Sequence, residues 1–215
     1  MVSLQEGQRR IREGNVRPAV SITFDDGYAD NCDEALPLLV DLNIPVTYFV
    51  SAHNLFSSEP FPHDVAAGEN LEPNTIEQLQ ELVRQGIEIG CHTRTHTDLG
   101  KVTDRSVLID EMITAREELQ QALDCPLRYF AFPYGQPQNM SAEAFQLACD
   151  AQYDCVCSAY GGYNMPGQDA FHIERIHGDN VMMRLKNWLT IDPRKLNNAK
   201  SYQDSTIVAT REPVC

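Results

Sequence analysis

The chain has 215 residues, enough for one sizeable core in one or two domains, and carries a formal net charge of −14 with a pI near 4.7. That balance argues against nucleic acid or an anionic membrane surface as a partner and against a strongly anionic polymer as a substrate, whereas neutral sugars or amides fit. No stretch approaches the ~20 apolar residues of a membrane span.

Residues 1–14 read as a short charged helix with no apolar leader core. The run "AVSITF" (19–24) reads as a strand and "CDEALPLLVDL" (32–42) as a helix, with Pro37 in its second turn. "PVTYFVS" (45–51) is β-branched and aromatic, a second strand. Residues 52–73 carry Pro60, Pro62 and Pro73 and no period, and read as a loop. Asn74 or Thr75 caps the helix "IEQLQELVRQ", whose apolar face is Ile76, Leu79, Leu82 and Val83 and which Gly86 ends. "IEIGCH" (87–92) is a third strand. Residues 104–123 are the longest helix, with Val107, Leu108, Met112, Leu119 and Ala122 at helical spacing. "RYFAF" (128–132) is a fourth strand, Ser141 caps a helix to Ala151, "YDCVCSA" (153–159) and "FHIERI" (171–176) are the fifth and sixth strands, and "VMMRLKNWL" (181–189) is a last helix. The polar remainder includes "STIVAT" (205–210), a short strand or nothing. Strand and helix alternate, which argues for a parallel sheet with covering helices, wound by right-handed crossovers into an open sheet or a barrel.

Seven cysteines cannot all pair within the chain and do not recur at metal-finger spacing. They read as reduced thiols of a cytoplasmic protein. Asn139-Met140-Ser141 matches a glycosylation sequon, which without a secretion signal carries no weight.

Three stretches carry chemistry. "CHTRTH" places His92 and His96 four residues apart just past the third strand, and imidazoles so spaced can converge on an ion at ~2.0–2.1 Å. Alone, the pair reads as ordinary surface. "FDDG" puts Asp25 and Asp26 at the end of the first strand, where two adjacent acids repel. An Asp-Gly turn is the plain reading. In a parallel α/β fold, however, all strand C-termini share one rim. One carboxylate and two imidazoles there complete a three-ligand set for a catalytic metal, and the other acid is left to accept a proton. "RYFAFPYG" ends a further strand on that rim, where a turn can aim a backbone N–H at a developing oxyanion.

"TFDDG", "HTRTH" and "FAFPYG", in this order, resemble the polysaccharide deacetylase family, the NodB-homology domain of carbohydrate esterase family 4, over about residues 20–177. The resemblance implies an α/β fold, a distorted (β/α)7-type barrel. It implies one catalytic domain over 1–215, with its motif-bearing core at 19–190 and a polar tail at 190–215. The implied reaction is metal-dependent removal of N-acetyl, sometimes O-acetyl, groups from an acetylated glycan by a metal-bound water. Carried over residue by residue, Asp26, His92 and His96 match the metal ligands, usually for zinc. Asp25 matches the general base, and Tyr134 the residue whose backbone amide binds the oxyanion. His177, in "RIHGD", matches the general acid, with His172 its competitor. The chain departs from the common pattern at Ala131, where many members carry an Arg that pairs with the catalytic aspartate, and Arg175 or Arg128 is expected to replace it. The fourth motif lacks its usual Trp, as in the branch associated with exopolysaccharide synthesis.

Three other readings stand beside this one: a non-catalytic sugar-binding module, an amidase of the same fold acting on a non-sugar amide, and a thiol redox role for Cys155 and Cys157. Side chains at i and i+2 of an apolar strand share a face, so packed thiols are the plainer account of that pair.

Overall fold

The structure, a computed structural model, describes residues 1–14, 17–159, 161–178 and 181–190. Strands form at the β-branched and aromatic runs: β1 (Ile22–Phe24), β2 (Val46–Val50), β3 (Glu88–Cys91), β4 (Tyr129–Ala131), β5 (Cys155–Cys157) and β6 (His172–Ile173). They pair in parallel in the order β1-β2-β3-β4-β5-β6. The sheet is the curled, helix-covered half-barrel that the alternating pattern predicts, with six strands among the described residues. Residues 205–210 lie outside these. Each strand is shorter than its apolar run: β1 loses only its first residues, and β2 to β6 are trimmed at both ends.

Alternation along the strands feeds two cores. Tyr48, Val50, Ile89, Cys91, Phe130 and Val156 meet the covering helices on the convex side. Phe49, Tyr129, Ala131, Cys155, Cys157 and Ile173 line the concave side. There Leu4 and Ile11 of α1 (Leu4–Glu13) cover them, and Gln8 Nε2 donates to the carbonyls of Asp154 (2.8 Å) and Ala170 (2.9 Å). Cys155 and Cys157 are thus wholly buried packing residues, and burial pushes the Cys155 thiol far above its usual range. The redox reading would need two thiols that are both packed out of reach of solvent.

The helices differ from the sequence reading in instructive places. A 3-10 turn occupies Ala29–Cys32, and α2 (Ala35–Asp41) begins only at Ala35, so Pro37 falls in the first turn, where its missing N–H costs nothing. The stretch read as a loop at 52–73 holds α3 (Ala52–Ser57) and α4 (Pro62–Ala67). Pro62 at the first helical position and Gly68 in the left-handed region bound α4 by the usual asymmetry. In α5 (Ile76–Arg84), Thr75 and not Asn74 is the cap, in a reciprocal capping box with Gln78. Asn74 is buried instead: its amide donates to Gly27 O (2.8 Å) and its side chain accepts from Tyr48 (2.7 Å), which staples this segment to the loop after β1.

The long helix at 104–123 is interrupted. α6 (Arg105–Ile109) and α7 (Ala115–Leu123) flank a π turn at Asp110–Thr114. Its buried stripe is Leu108, Met112, Ala115, Leu119 and Leu123, while Val107 stands 40% exposed. At 100° per residue an unbroken α-helix would rotate that stripe off the core by about 60° over its length, and the wider turn takes up the drift. α8 (Ala142–Asp150) is capped by Ser141, and α9 (Met182–Leu189) ends the described chain.

Candidate metal centre

The parallel sheet delivers its strand ends to one rim, as the sequence pattern predicts. Asp25 and Asp26 follow β1, His92 follows β3, Tyr134 follows β4 and Arg175 follows β6. Asp26 Oδ1 lies 3.3 Å from His92 Nε2 and 3.2 Å from His96 Nε2. The ligand-type atoms of the three residues fall within 4.8 Å of one another, and no other such group of His, Cys, Asp or Glu occurs among the described residues. Cys91, beside His92, points into the convex core and offers no ligand.

The hydrogen-bond pattern tests whether this trio suits an ion. His92 is buried, and its Nδ1 lies 2.8 Å from the Ala131 carbonyl. An N–H must sit at Nδ1, so Nε2 of the neutral ring presents a lone pair. That lone pair faces Asp26 Oδ1, a buried oxygen that receives no hydrogen bond. Two acceptors at 3.3 Å repel unless a proton or a metal cation lies between them. Burial alone would lower the His92 imidazole, but the Asp25 and Asp26 carboxylates raise it overall. Burial alone would raise the Asp26 carboxyl, and the two imidazoles hold it well below the usual carboxylate range. Two imidazoles and an ionised carboxylate around an oxygen that receives no hydrogen bond are a donor set for a divalent ion such as zinc.

The rim is held in costly backbone conformations. Asp26 (φ 77°), Thr93 (φ 65°), His96 (φ 57°) and Tyr134 (φ 62°) all lie in the left-handed region, at roughly 1–2 kcal/mol each. Glu111, buried in the π turn, pins the loop between the two histidines. One carboxylate oxygen accepts from the amides of Arg94 and Thr95 (both 2.9 Å), the other from the hydroxyls of Thr95 (2.6 Å) and Thr97 (3.1 Å). Sequence reading missed Glu111; the available signal was an acid beside Met112 within a buried helical stripe.

Asp25 stands apart from the trio and pairs with Arg175 as a fork: Nη1 to Oδ1 at 2.6 Å and Nη2 to Oδ2 at 2.8 Å. Nε of the same guanidinium donates to the Ser158 carbonyl (2.9 Å) and Nη1 to Thr23 Oγ1 (3.1 Å), so one side chain bridges β1 to the β5–β6 edge. It lies 5.4 Å from the Phe49 ring centroid. Burial would raise the Asp25 carboxyl, and the Arg175 charge more than reverses it. The arginine absent at Ala131 is therefore supplied from the end of β6. Arg128 is engaged elsewhere, with Glu88 (2.7 and 3.1 Å). Arg175→Met is expected to leave bound metal intact and cut kcat by roughly 10–100-fold, with Arg175→Lys recovering only part, because an ammonium cannot hold both carboxylate oxygens. Full activity in Arg175→Met would remove this pair from the site.

The Tyr134 side chain is 56% exposed and lies edge-on to His96, 4.9 Å between centroids. Its amide donates to no described residue. Gly135 N donates to Pro133 O (2.6 Å), and a Cβ on Gly135 would come within 2.7 Å of Ala159 N, so this turn requires glycine. His177 is exposed and makes no hydrogen bond to a described residue, so it is not packed into the cluster. His172 faces away from the rim: Nε2 meets Ser158 Oγ at 2.9 Å and the ring packs on Phe145 of α8. Burial pushes its imidazole down to about 4. The unfolded chain, with an ordinary value near ~6.5, then binds the extra proton first as pH falls. Stability from this site is complete above ~6.5 and drains toward pH 4, by at most about 3 kcal/mol. Between pH 7 and 5 the unfolding midpoint of His172→Gln should fall less than that of wild type; equal falls would clear His172 of the effect.

A family model described as polysaccharide deacetylase matches residues 13–156. A chitooligosaccharide deacetylase of Bradyrhizobium sp. (strain ANU 289) is 30% identical over 121 residues, covering 54% of this chain and 46% of that protein. The chain spans half or less of the length of the curated relatives it matches. Among solved structures, the Streptococcus pyogenes deacetylase PplD in complex with acetate superposes with a TM-score of 0.73 at 22% identity, covering 88% of this chain and 79% of that one. IcaB from Ammonifex degensii superposes with a TM-score of 0.71 at 23% identity, covering 88% and 82%. At such identities these two likenesses speak to the fold.

Proposed function

The chain belongs to the polysaccharide deacetylase family, and from that premise we propose that it hydrolyses N-acetyl groups of an amino-sugar polymer or oligomer with the aid of one divalent ion, zinc, held by Asp26, His92 and His96. The observation that carries the metal reading is the orphaned Asp26 oxygen facing the lone pair of His92. A bound divalent ion supplies a Lewis acid and brings the pKa of a water toward ~7. Asp25 takes the proton of the attacking water, held ionised and oriented by Arg175. The Tyr134 amide, which donates to no described residue, receives the charge that develops on the acetyl oxygen. His177 delivers a proton to the departing nitrogen as the C–N bond breaks, and acetate and a free amino sugar leave.

Retention of the acid pair and both histidines supports an enzyme over a sugar-binding module. The described cysteines are free thiols, which supports a reducing, cytoplasmic setting, and no helix among the described residues is long and apolar enough to cross a membrane. We take residues 1–215 as one catalytic domain. The testing experiment is acetate release over a panel of acetylated glycans and a non-sugar acetanilide, with metal-stripped and zinc-restored protein. Release from a glycan that needs the ion supports the proposal. Release from the anilide alone would make the protein an amidase.

A further inference from the structure

Residues 58–68 fold over the metal centre, and the steps above leave their side chains unused. Phe61 is buried, edge-on to Tyr28 (5.3 Å between centroids) and to His96 (5.5 Å). His63 lies 5.4 Å from Phe61 and 5.6 Å from His96, tilted 38° to the latter, with half of its side chain exposed. Tyr134 packs on His96 as well, so two solvent-facing rings adjoin this metal-site imidazole.

Asp64 sets the orientation of His63. Its carboxylate is 9% exposed, with Oδ2 accepting from the Tyr28 hydroxyl (2.8 Å) and Oδ1 3.4 Å from His63 Nε2. The Tyr28 hydroxyl is also 3.4 Å from Nε2, and its single hydrogen is committed to Asp64. Nε2 thus faces two acceptors and bears the ring hydrogen, which leaves a lone pair on Nδ1. No described residue donates to that nitrogen. A pyranose ring offers several hydroxyl donors, each of which loses water on entering a cleft and needs a replacement acceptor.

We propose that His63 is a specificity-determining residue of the deacetylation: its Nδ1 accepts a hydrogen bond from a hydroxyl of the N-acetylated hexosamine unit seated at the metal centre. This rests on the function proposed above, since a substrate without hydroxyls would leave Nδ1 unused.

The test compares His63→Ala and His63→Asn with wild type on an N-acetylglucosamine oligomer and on a small sugar-free acetyl ester, with metal content measured throughout. His63→Ala should raise KM on the oligomer roughly tenfold with little change in kcat, the loss of one hydrogen bond made alike in ground and transition states. Its fall in kcat/KM should be at least about fivefold larger on the oligomer than on the ester. His63→Asn, which keeps an acceptor oxygen, should recover part. Equal losses on both substrates, or loss of metal, would make His63 a prop for His96 and overturn the proposal, as would an unchanged KM on the oligomer. Wild type that cleaves the ester but no acetylated glycan fails in a different place: it strikes the proposed substrate class, and the role of His63 with it.

Discussion

His92→Ala is expected to lower metal affinity by at least ~100-fold, since even groups that only orient a ligand are worth 10–100-fold. Dialysed wild type should carry close to one zinc-like ion per chain, and the variant almost none. The reason lies in the geometry around Asp26. Its buried Oδ1 has His92 at 3.3 Å and His96 at 3.2 Å and no hydrogen bond, and the Ala131 carbonyl fixes the His92 tautomer with its lone pair inward. Removing that ring takes away one of three donors and leaves two, too few to compete with water for the ion. Because His92 is buried, the variant's fold is checked by circular dichroism alongside. A folded variant with wild-type metal content would end the assignment of the trio.

Asp25→Asn should do the opposite: keep its metal and lose ~10²–10⁴ in turnover, the usual worth of a positioned base. Asp25 shares no ligand position with the trio and gives both carboxylate oxygens to Arg175. The amide can still accept one hydrogen bond from the guanidinium but cannot accept a proton. It also strips Arg175, 13% exposed, of its counter-charge, so stability falls as well and rates must be compared well below both unfolding midpoints. Loss of metal in Asp25→Asn would exchange the roles of the two aspartates.

The alternating pattern made the sheet legible, because a parallel strand buried on both faces is largely apolar along its length: all five residues of β2 are buried, and Thr47 alone among them is not apolar or aromatic. The rim followed from topology: once strands are parallel, the residues after β1, β3, β4 and β6 have to meet. What escaped was local. Residues 52–73 hide their helices because α3 and α4 have six residues each, too short for a 3.6-residue period to show. His63 and Asp64 were invisible as site residues for the same reason: only the fold brings α4 over His96. Thr75 and Asn74 were equal candidates for a cap until packing buried one of them. Arg175 could be named beforehand because it stands two residues before His177, and residues at i and i+2 of a strand share a face, whereas Glu111 could not, since a π turn has no composition of its own.

That π turn has a consequence for how the chain can vary in length. Asp110–Thr114 holds more residues in one turn than an α-helix would, and Glu111 leaves it to reach the loop that carries His96. Deleting a single residue there would let 105–123 wind as continuous α-helix with its backbone bonds conserved. The flanking faces would keep nearly the same phase, because a π turn fits one extra residue into the rotation of an α turn, but the wide turn that sends Glu111 to the loop would be lost. The extra residue is therefore easy to gain and hard to give back: the helix would tolerate its loss, and the loop would not.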